Sequence, residues 1–128
     1  INRYKTEKPI LGVCLGHQAL AESFGYELSQ NEHPLHGKSS LIKHLNSSPL
    51  FIEIDEEFQV GRYHSWSVKE NSSDELEVIA STKEGEIMAF THKQFSIFGT
   101  QFHPESILTP QGRQIINNWV TICKSIKE

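Results

Sequence analysis

The sequence predicts an α/β fold with a buried parallel sheet around its first strand and antiparallel strands in its second half. The continuous apolar run at residues 10–13 is typical of a strand inside a parallel sheet, where both faces are covered. This run leads into Gly-x-Cys-x-Gly at residues 12–16 and then into a helical pattern, so a strand, a tight turn and a helix are expected. Short alternating runs after residue 57 predict the antiparallel strands.

The first half of the chain continues with short elements. The first helix is expected to end at Gly25, because glycine often terminates helices. The elements that follow are strands at residues 26–30, 39–45 and 58–63, a loop at 31–38 that contains Pro34 and Gly37, and a helical turn at 50–54.

The second half predicts a hairpin, a further strand and a helix. Residues 76–81 and 87–92 form the hairpin, and Gly99 inside the strand at 95–102 indicates a bulge or a close approach. Thr109 and Pro110 predict the start of the last helix, with Thr109 as its N-cap. The apolar stripe of that helix is expected to consist of Ile115, Ile116, Trp119, Val120 and Cys123.

Length and composition indicate one domain without a membrane span or a nucleic-acid partner. The chain has 128 residues, of which 37% are hydrophobic, and no apolar run is long enough to cross a membrane. The net charge of -4 argues against a nucleic-acid partner held by phosphate contacts. Two cysteines form no disulfide framework and are typical of a reducing compartment, so a cytoplasmic location is expected.

Cys14, between the two glycines, is the first candidate for chemistry. In such a turn the glycines permit the cramped backbone, and the central side chain is presented at the carboxyl end of the strand. Backbone N–H groups and the positive end of the following helix are expected to lower the thiol pKa from about 8.5. The alternative is that Cys14 is a small, buried and inert residue.

His103 and Glu105 are candidates for a base and its orienting group. They follow a predicted strand, and residues i and i+2 of an extended segment project to the same side. A cysteine nucleophile needs a base, and in a triad a third group holds that base. The alternative is an exposed His-Pro-Glu loop without a chemical role.

The other histidines predict no metal site. His33 and His36 lie in a polar loop, but their spacing resembles no common zinc framework. His17 is expected to cap the helix or pack near the turn, and His44 and His92 are expected to face solvent.

Four segments together resemble the class I, triad-type glutamine amidotransferases. These are GVCLGHQALAESFG, HGKSS, VGRYHSW and GTQFHPESILTPQG, in the family's order. They are most similar to the small subunits of anthranilate synthase and aminodeoxychorismate synthase. The resemblance implies a flavodoxin-like fold with a central, mostly parallel sheet and a smaller antiparallel sheet. Residues 1–128 would form the C-terminal two-thirds of this domain, without its N-terminal strands.

The resemblance also implies a role for each matching residue. Cys14 would be the nucleophile, His103 the acid–base residue and Glu105 its orienting partner. The Leu15 backbone N–H would donate to the oxyanion. The residues expected to contact glutamine are Gln18, Ser65 and Trp66, the last two through their backbone.

One family feature is absent from the sequence. The second oxyanion donor of the family lies in a Gly-Pro-Gly loop before the cysteine turn, and the 128 residues contain no such loop. Loss of one oxyanion donor can cost on the order of a hundredfold in turnover. Low activity of the chain by itself is therefore expected.

The implied partners are L-glutamine and a synthase subunit that uses chorismate, in tryptophan or folate biosynthesis. The segment around His36 and Lys38 matches a region near that interface. No cofactor is expected in this chain, because magnesium would belong to the partner. Two alternatives stay open, namely a non-catalytic module that only binds a synthase and a partner-free enzyme that hydrolyses γ-glutamyl bonds.

Overall fold

The computed structural model describes residues 8–30, 38–45, 48–63, 66–69 and 75–126. Among them are two α-helices, one 3-10 helix and eight strands. The strands are β1 Ile10–Val13, β2 Glu27–Gln30, β3 Lys38–His44, β4 Glu57–Arg62, β5 Trp66–Lys69, β6 Leu76–Thr82, β7 Ile87–His92 and β8 Ile97–Thr100; the helices are α1 Leu15–Ser23, a 3-10 helix Pro49–Phe51 and α2 Gly112–Ile126.

Six strands form one mixed sheet, and β2 pairs with β5 in a small antiparallel sheet. The order in the larger sheet is β1-β8-β7-β6-β3-β4. The predicted parallel pairing is present between β1 and β8, whereas the other described pairs are antiparallel. Among the described strands the central sheet is therefore mixed, with parallel pairing at β1–β8 alone. Short connections such as that between β6 and β7 can join only antiparallel neighbours.

The position of β1 in the sheet differs from the sequence-based expectation. The apolar run predicts a central position for β1, but among the described strands it lies at one end of the sheet and pairs with β8. Its register aligns Val13 with Thr100. The two parallel strands therefore end at the same edge of the sheet, and the residues that follow them meet there.

Two apolar clusters cover the two faces of the sheet. Helix α1 contributes Leu20 and Ala21 to one cluster, and α2 contributes Ile115 and Ile122 to the other. Consecutive residues of β8 alternate between the clusters, as the period of two in a strand requires. This double coverage explains why β8 consists of buried residues throughout.

Gly99 is a position of close approach, as its place inside an apolar strand predicts. A Cβ atom there would lie 2.5 Å from the Phe90 ring and 2.7 Å from Nδ1 of His17. The rings of His17 and Phe90 pack with centroids 4.7 Å apart, and His17 is fully buried. The expectation that His17 packs near the cysteine turn is confirmed.

The prediction that His92 faces solvent is wrong. His92 is buried, its ring packs against Phe24, and its Nδ1 accepts from the backbone N–H groups of Gln94 and Phe95. His44 is partly buried, and its Nε2 contacts the carbonyl oxygen of Ile54 at 3.0 Å. The alternation of apolar and polar residues along a strand does not show that a histidine ring nitrogen will accept hydrogen bonds from the following turn, and so the burial of His92 was not predicted.

A bulge in β6 resolves the ambiguous alternation of that strand. The register with β7 shifts between Val78 and Ala80. Val78 packs with the cluster under α1, whereas Ile79 and Ala80 belong to the cluster under α2. The extra residue of a bulge allows two consecutive side chains to face one side.

The last helix begins two residues later than predicted, because α2 begins at Gly112 rather than at Pro110. The Thr109 hydroxyl does not cap it, since it donates to the His103 carbonyl oxygen and accepts from the Gly61 N–H. The buried stripe also differs from the expected one. Ile116 and Val120 are exposed, while Asn118 is buried because its amide donates to two backbone carbonyls of the 3-10 segment.

No helix within the described ranges is long and apolar enough to cross a bilayer.

Candidate active site

Cys14 lies in a strained turn between β1 and α1. Its φ of 54° and ψ of -103° are rare for a non-glycine residue. The neighbouring structure holds this conformation, because the Cys14 N–H donates to Thr100 O at 2.8 Å and its carbonyl accepts from Gln18 N at 3.1 Å. The predicted strand, turn and helix around Cys14 are therefore present.

The parallel register of β1 and β8 brings the chain after β8 alongside Cys14. A pocket of about 510 Å³ opens at this edge of the sheet. Its lining consists of Val13, Cys14, Leu15, Gln18, Tyr63, Trp66 and His103. Two residues separated by 89 positions in the chain, Cys14 and His103, thus line one cavity.

His103 is held by its backbone, by Glu105 and by Tyr63. Its Nδ1 lies 2.7 Å from Oε2 of Glu105. The carboxylate accepts a hydrogen bond from Nδ1–H, and this bond favours the tautomer with the proton on Nδ1. The Tyr63 ring packs edge-on against the imidazole with centroids 5.3 Å apart. The structure thus pairs His103 with Glu105 as their spacing predicts, with Glu105 60% exposed at its side chain.

Thr109 ties the His103 loop to β4. Its side chain is buried, donates to His103 O at 2.8 Å and accepts from Gly61 N at 2.9 Å. A second bond runs from His103 N to Gly61 O at 3.3 Å. Thr109 therefore positions the histidine backbone, a role that its place before a proline did not suggest.

The substitution Thr109→Val should destabilise the protein by about 2 kcal/mol. It preserves the shape of the side chain but leaves the buried N–H of Gly61 without an acceptor, which typically costs about 1–3 kcal/mol. Urea unfolding of the full-length protein measures the change. Thr121→Val is the matched control, because Thr121 donates to a single carbonyl on the exposed face of α2. Equal losses in the two variants would contradict this role of Thr109.

The structure describes three of the four expected substrate-site residues. Gln18 and Trp66 line the pocket, and Gln18 Nε2 donates to the Trp66 carbonyl oxygen at 2.8 Å. Leu15 begins α1 with a 75% exposed side chain beside the pocket. Ser65 lies outside the described residues.

Gln101 is a residue of this site that the sequence patterns missed. It is fully buried, and its Nε2 lies 3.9 Å from the sulfur of Cys14. Its Oε1 accepts from Gln18 Nε2 at 3.3 Å. The available signal was its position one residue after β8, opposite the cysteine turn in the parallel register.

The expectation of a lowered pKa for Cys14 is wrong. Burial raises the pKa of the thiol, and the carboxylate of Glu105 raises it further. The hydrogen bonds from the Leu15 backbone N–H and the Gln101 side chain lower the pKa, but each has a smaller effect than burial and the net shift is upward. The resting thiol is therefore protonated at neutral pH and needs a base to become a nucleophile.

The alkylation of Cys14 by iodoacetamide should have a pH midpoint above that of an unstructured cysteine peptide. Only the thiolate reacts, and the raised pKa moves its formation to higher pH. Peptide mass spectrometry of the full-length protein, quenched at several times and pH values, measures the midpoint. A rate that is already maximal at neutral pH would show a preformed thiolate and contradict the prediction.

In the part of the chain that the structure describes, no second site combines a cysteine with a histidine as the Cys14 pocket does. Within the described ranges, no group of three or more His, Cys, Asp or Glu side chains could hold a metal ion, and His33 and His36 lie outside them. A cavity of about 710 Å³ lies over β3, β4 and β6. Its buried cation, Arg62, is paired with Glu86, and its lining contains no cysteine or histidine.

Comparisons with known proteins agree with this geometry. A profile of the family described as "Glutamine amidotransferase class-I" matches residues 1–123. A Haemophilus influenzae protein assigned as anthranilate synthase component II is 44% identical over 123 residues, which are 95% of this chain and 64% of that protein. The aminodeoxychorismate/anthranilate synthase component 2 of Bacillus subtilis is 42% identical over 121 residues, or 94% of this chain and 62% of the relative.

A solved structure resembles the fold closely. The crystal structure of a Thermoplasma acidophilum protein assigned to GMP synthase has a TM-score of 0.85 and 34% identity, and the match covers 93% of this chain and 59% of that one. The predicted α/β amidotransferase fold is thus confirmed, and the chain spans less than two thirds of the length of these relatives. Because the family profile covers residues 1–123 of the 128, the chain belongs to the class-I glutamine amidotransferases.

Proposed function

We propose that this chain is the glutamine-hydrolysing part of a component II subunit, which supplies ammonia to a synthase that acts on chorismate. The observation that carries the proposal is the convergence of Cys14 and the His103–Glu105 pair on one pocket. The names of the relatives, anthranilate and aminodeoxychorismate synthase components, support the choice of synthase. Cytoplasmic function in tryptophan or folate biosynthesis follows from that choice.

Acylation of Cys14 begins the proposed reaction. His103 takes the thiol proton, and Sγ attacks the side-chain amide carbon of glutamine. The Leu15 backbone N–H donates to the oxyanion of the tetrahedral intermediate. His103 then gives its proton to the leaving nitrogen, the C–N bond breaks, and ammonia departs from a glutamyl thioester.

Hydrolysis of the thioester completes the cycle. His103 removes a proton from water, the resulting hydroxide attacks the thioester carbon, and the C–S bond breaks to release glutamate. The departing Cys14 sulfur takes the proton back from His103, which restores the thiol and the neutral imidazole. The raised pKa of Cys14 gives a reason for the acid–base role of His103, because a protonated thiol is not a nucleophile. Glu105 keeps the proton on Nδ1 and leaves Nε2 to exchange protons with the reactants.

A partner that covers the pocket agrees with the surface around it. The side chains of Leu15 and Trp66 are 75% and 44% exposed, and both line the pocket. Large apolar side chains at one site are typical of surfaces that bind another protein. The partner would receive the ammonia before it escapes into water.

Reconstitution with a synthase tests the proposal. The full-length protein is mixed with glutamine labelled with nitrogen-15 at the side-chain amide and with a chorismate-using synthase subunit. We expect the label in the aminated product and one glutamate for each nitrogen transferred. A complex that forms without glutamate release would contradict catalysis and support the alternative, a module that only binds a synthase. Rapid glutamate release without any partner would support a free-standing γ-glutamyl hydrolase instead.

A further inference from the structure

The amide of Gln101 is the only described side-chain group that hydrogen-bonds to the sulfur of Cys14. Its Nε2 lies 3.9 Å from Sγ, within reach of a hydrogen bond to sulfur. The residue is fully buried, and its backbone N–H donates to Met88 O at 2.8 Å. A long polar side chain is costly to bury unless its polar atoms have partners. Here those partners are the candidate nucleophile and Gln18.

Gln18 fixes which end of the Gln101 amide faces the sulfur. Its Nε2 donates to Gln101 Oε1 at 3.3 Å and to the Trp66 carbonyl oxygen at 2.8 Å. Because Oε1 of Gln101 accepts from Gln18, the NH₂ group of Gln101 is the end directed at Cys14. Gln18 is itself buried and belongs to the helix that follows the cysteine. Two amides therefore connect the backbone of β5 to the thiol.

We propose that Gln101 is a further catalytic residue, whose Nε2–H stabilises the thiolate of Cys14, and that Gln18 is a positioning residue that keeps this donor directed at the sulfur. The inference rests on the proposed role of Cys14 as nucleophile. A hydrogen bond to the charged form of an acid favours that form. Burial favours the protonated thiol, and the hydrogen bond from Gln101 favours the thiolate. Gln101 makes this bond from the side of Cys14 that lies against β8.

This arrangement links the wall of the pocket to the nucleophile. The Trp66 carbonyl holds Gln18, so a displacement of β5 frees the Gln18 amide and, through it, the Gln101 amide to rotate. Rotation would present Oε1 in place of Nε2 to the thiolate, and an acceptor facing an anion disfavours the anion. The acidity of Cys14 thereby depends on the position of β5. The contact that transmits this dependence joins Gln18 to Trp66, which is 48 residues later in the chain.

The substitution Gln101→Met tests the proposal in the full chain without glutamine. Methionine fills a similar volume but has no donor. We expect the pH midpoint of Cys14 alkylation by iodoacetamide to rise by about one unit, since a hydrogen bond to a charged group is lost. The rate at neutral pH should fall by about threefold, because a less acidic thiolate is the stronger nucleophile and offsets part of the loss.

Cys123 is the internal reference for this measurement. It lies on α2, away from the site, and is alkylated in the same sample. Its profile should stay unchanged, whereas a loosened structure would accelerate both cysteines. An unchanged Cys14 midpoint in a folded Gln101→Met variant overturns the proposal. Because no glutamine is present, this result would leave the glutaminase function itself standing.

Two further measurements decide the case if Gln101→Met does not fold. In Gln18→Met the Gln101 amide loses its orienting donor, and the Cys14 midpoint should rise by a smaller amount. In the unmodified protein, the side-chain amide protons of Gln101, followed by nuclear magnetic resonance, should titrate with the Cys14 alkylation midpoint. This titration should vanish in Cys14→Ser. Amide resonances that stay constant through the Cys14 midpoint would overturn the proposal.

Discussion

Replacement of Cys14 by serine should reduce glutamate release by the full-length protein with its partner at least about a thousandfold. Serine preserves the size of the side chain and the strained turn. Its hydroxyl is far less acidic than a thiol, and the surroundings already disfavour an anion at this position, because burial raises the pKa of the Cys14 thiol. Glutamate is measured with a coupled dehydrogenase assay under saturating glutamine.

The control for this substitution is Cys123→Ser, because the chain contains only these two cysteines. Cys123 is a partly buried residue of α2, and its replacement should leave glutamate release within about twofold of the unmodified protein. If Cys14→Ser retained glutamate release while Cys123→Ser lost it, the assignment of the nucleophile would be wrong.

Replacement of His103 by asparagine should reduce glutamate release by about a thousandfold, within the usual range for loss of an acid–base group. Asparagine can still make the backbone contacts of this position, because the bonds to Gly61 and Thr109 use main-chain atoms of His103. A protonated Cys14 thiol would then have no base. The loss should appear in kcat more than in KM, since His103 moves protons in the transition state.

Glu105→Gln gives the graded comparison for His103. The glutamine amide cannot hold the same tautomer, so activity should fall, but by less than in His103→Asn. In a triad with a buried acid the corresponding loss is about 10⁴-fold. The Glu105 side chain is 60% exposed, so water screens its charge and can replace part of its hydrogen bonding. A larger loss in Glu105→Gln than in His103→Asn would contradict these roles.

The candidate catalytic pattern could be proposed from the sequence because the constraints behind it are local. Gly12 is needed at the turn because a Cβ atom there would lie 2.6 Å from the Gly16 backbone, although Gly16 itself has open space around it. The i, i+2 spacing of His103 and Glu105 places the two side chains within hydrogen-bond distance. Strand-like runs and turn residues likewise predicted most elements. Their existence and order agree with the structure better than their ends do.

The parts that could not be predicted depend on contacts between distant segments. Gln101 reads as an ordinary strand-end residue until the register of β1 and β8 places it against Cys14, 87 positions earlier. Thr109 has the sequence context of a helix cap, yet its hydroxyl finds Gly61 on β4. The burial of Asn118 could not be predicted either. The carbonyl groups that accept from its amide belong to Ile52 and Leu50, which precede it by 66 and 68 positions.

The raised pKa of Cys14 has the same origin. The helix N-terminus and the Leu15 N–H are local and favour the thiolate, which is why the sequence suggested an acidic thiol. Burial opposes them, and burial depends on the whole fold around the turn. A protonated nucleophile beside a positioned histidine agrees with a reaction that begins only when the base and glutamine are both in place.

Covalent labelling with a glutamine analogue tests the central claim most directly. The analogue carries a diazoketone in place of the side-chain amide and alkylates a nucleophile that attacks it at the position of the amide carbon. In the full-length protein with its partner, we expect one label on the peptide that contains Cys14, blocked by excess glutamine, together with complete loss of glutamate release. A label on Cys123, or unlabelled protein that keeps releasing glutamate, would contradict the assignment of Cys14 as the nucleophile of a glutamine amidotransferase.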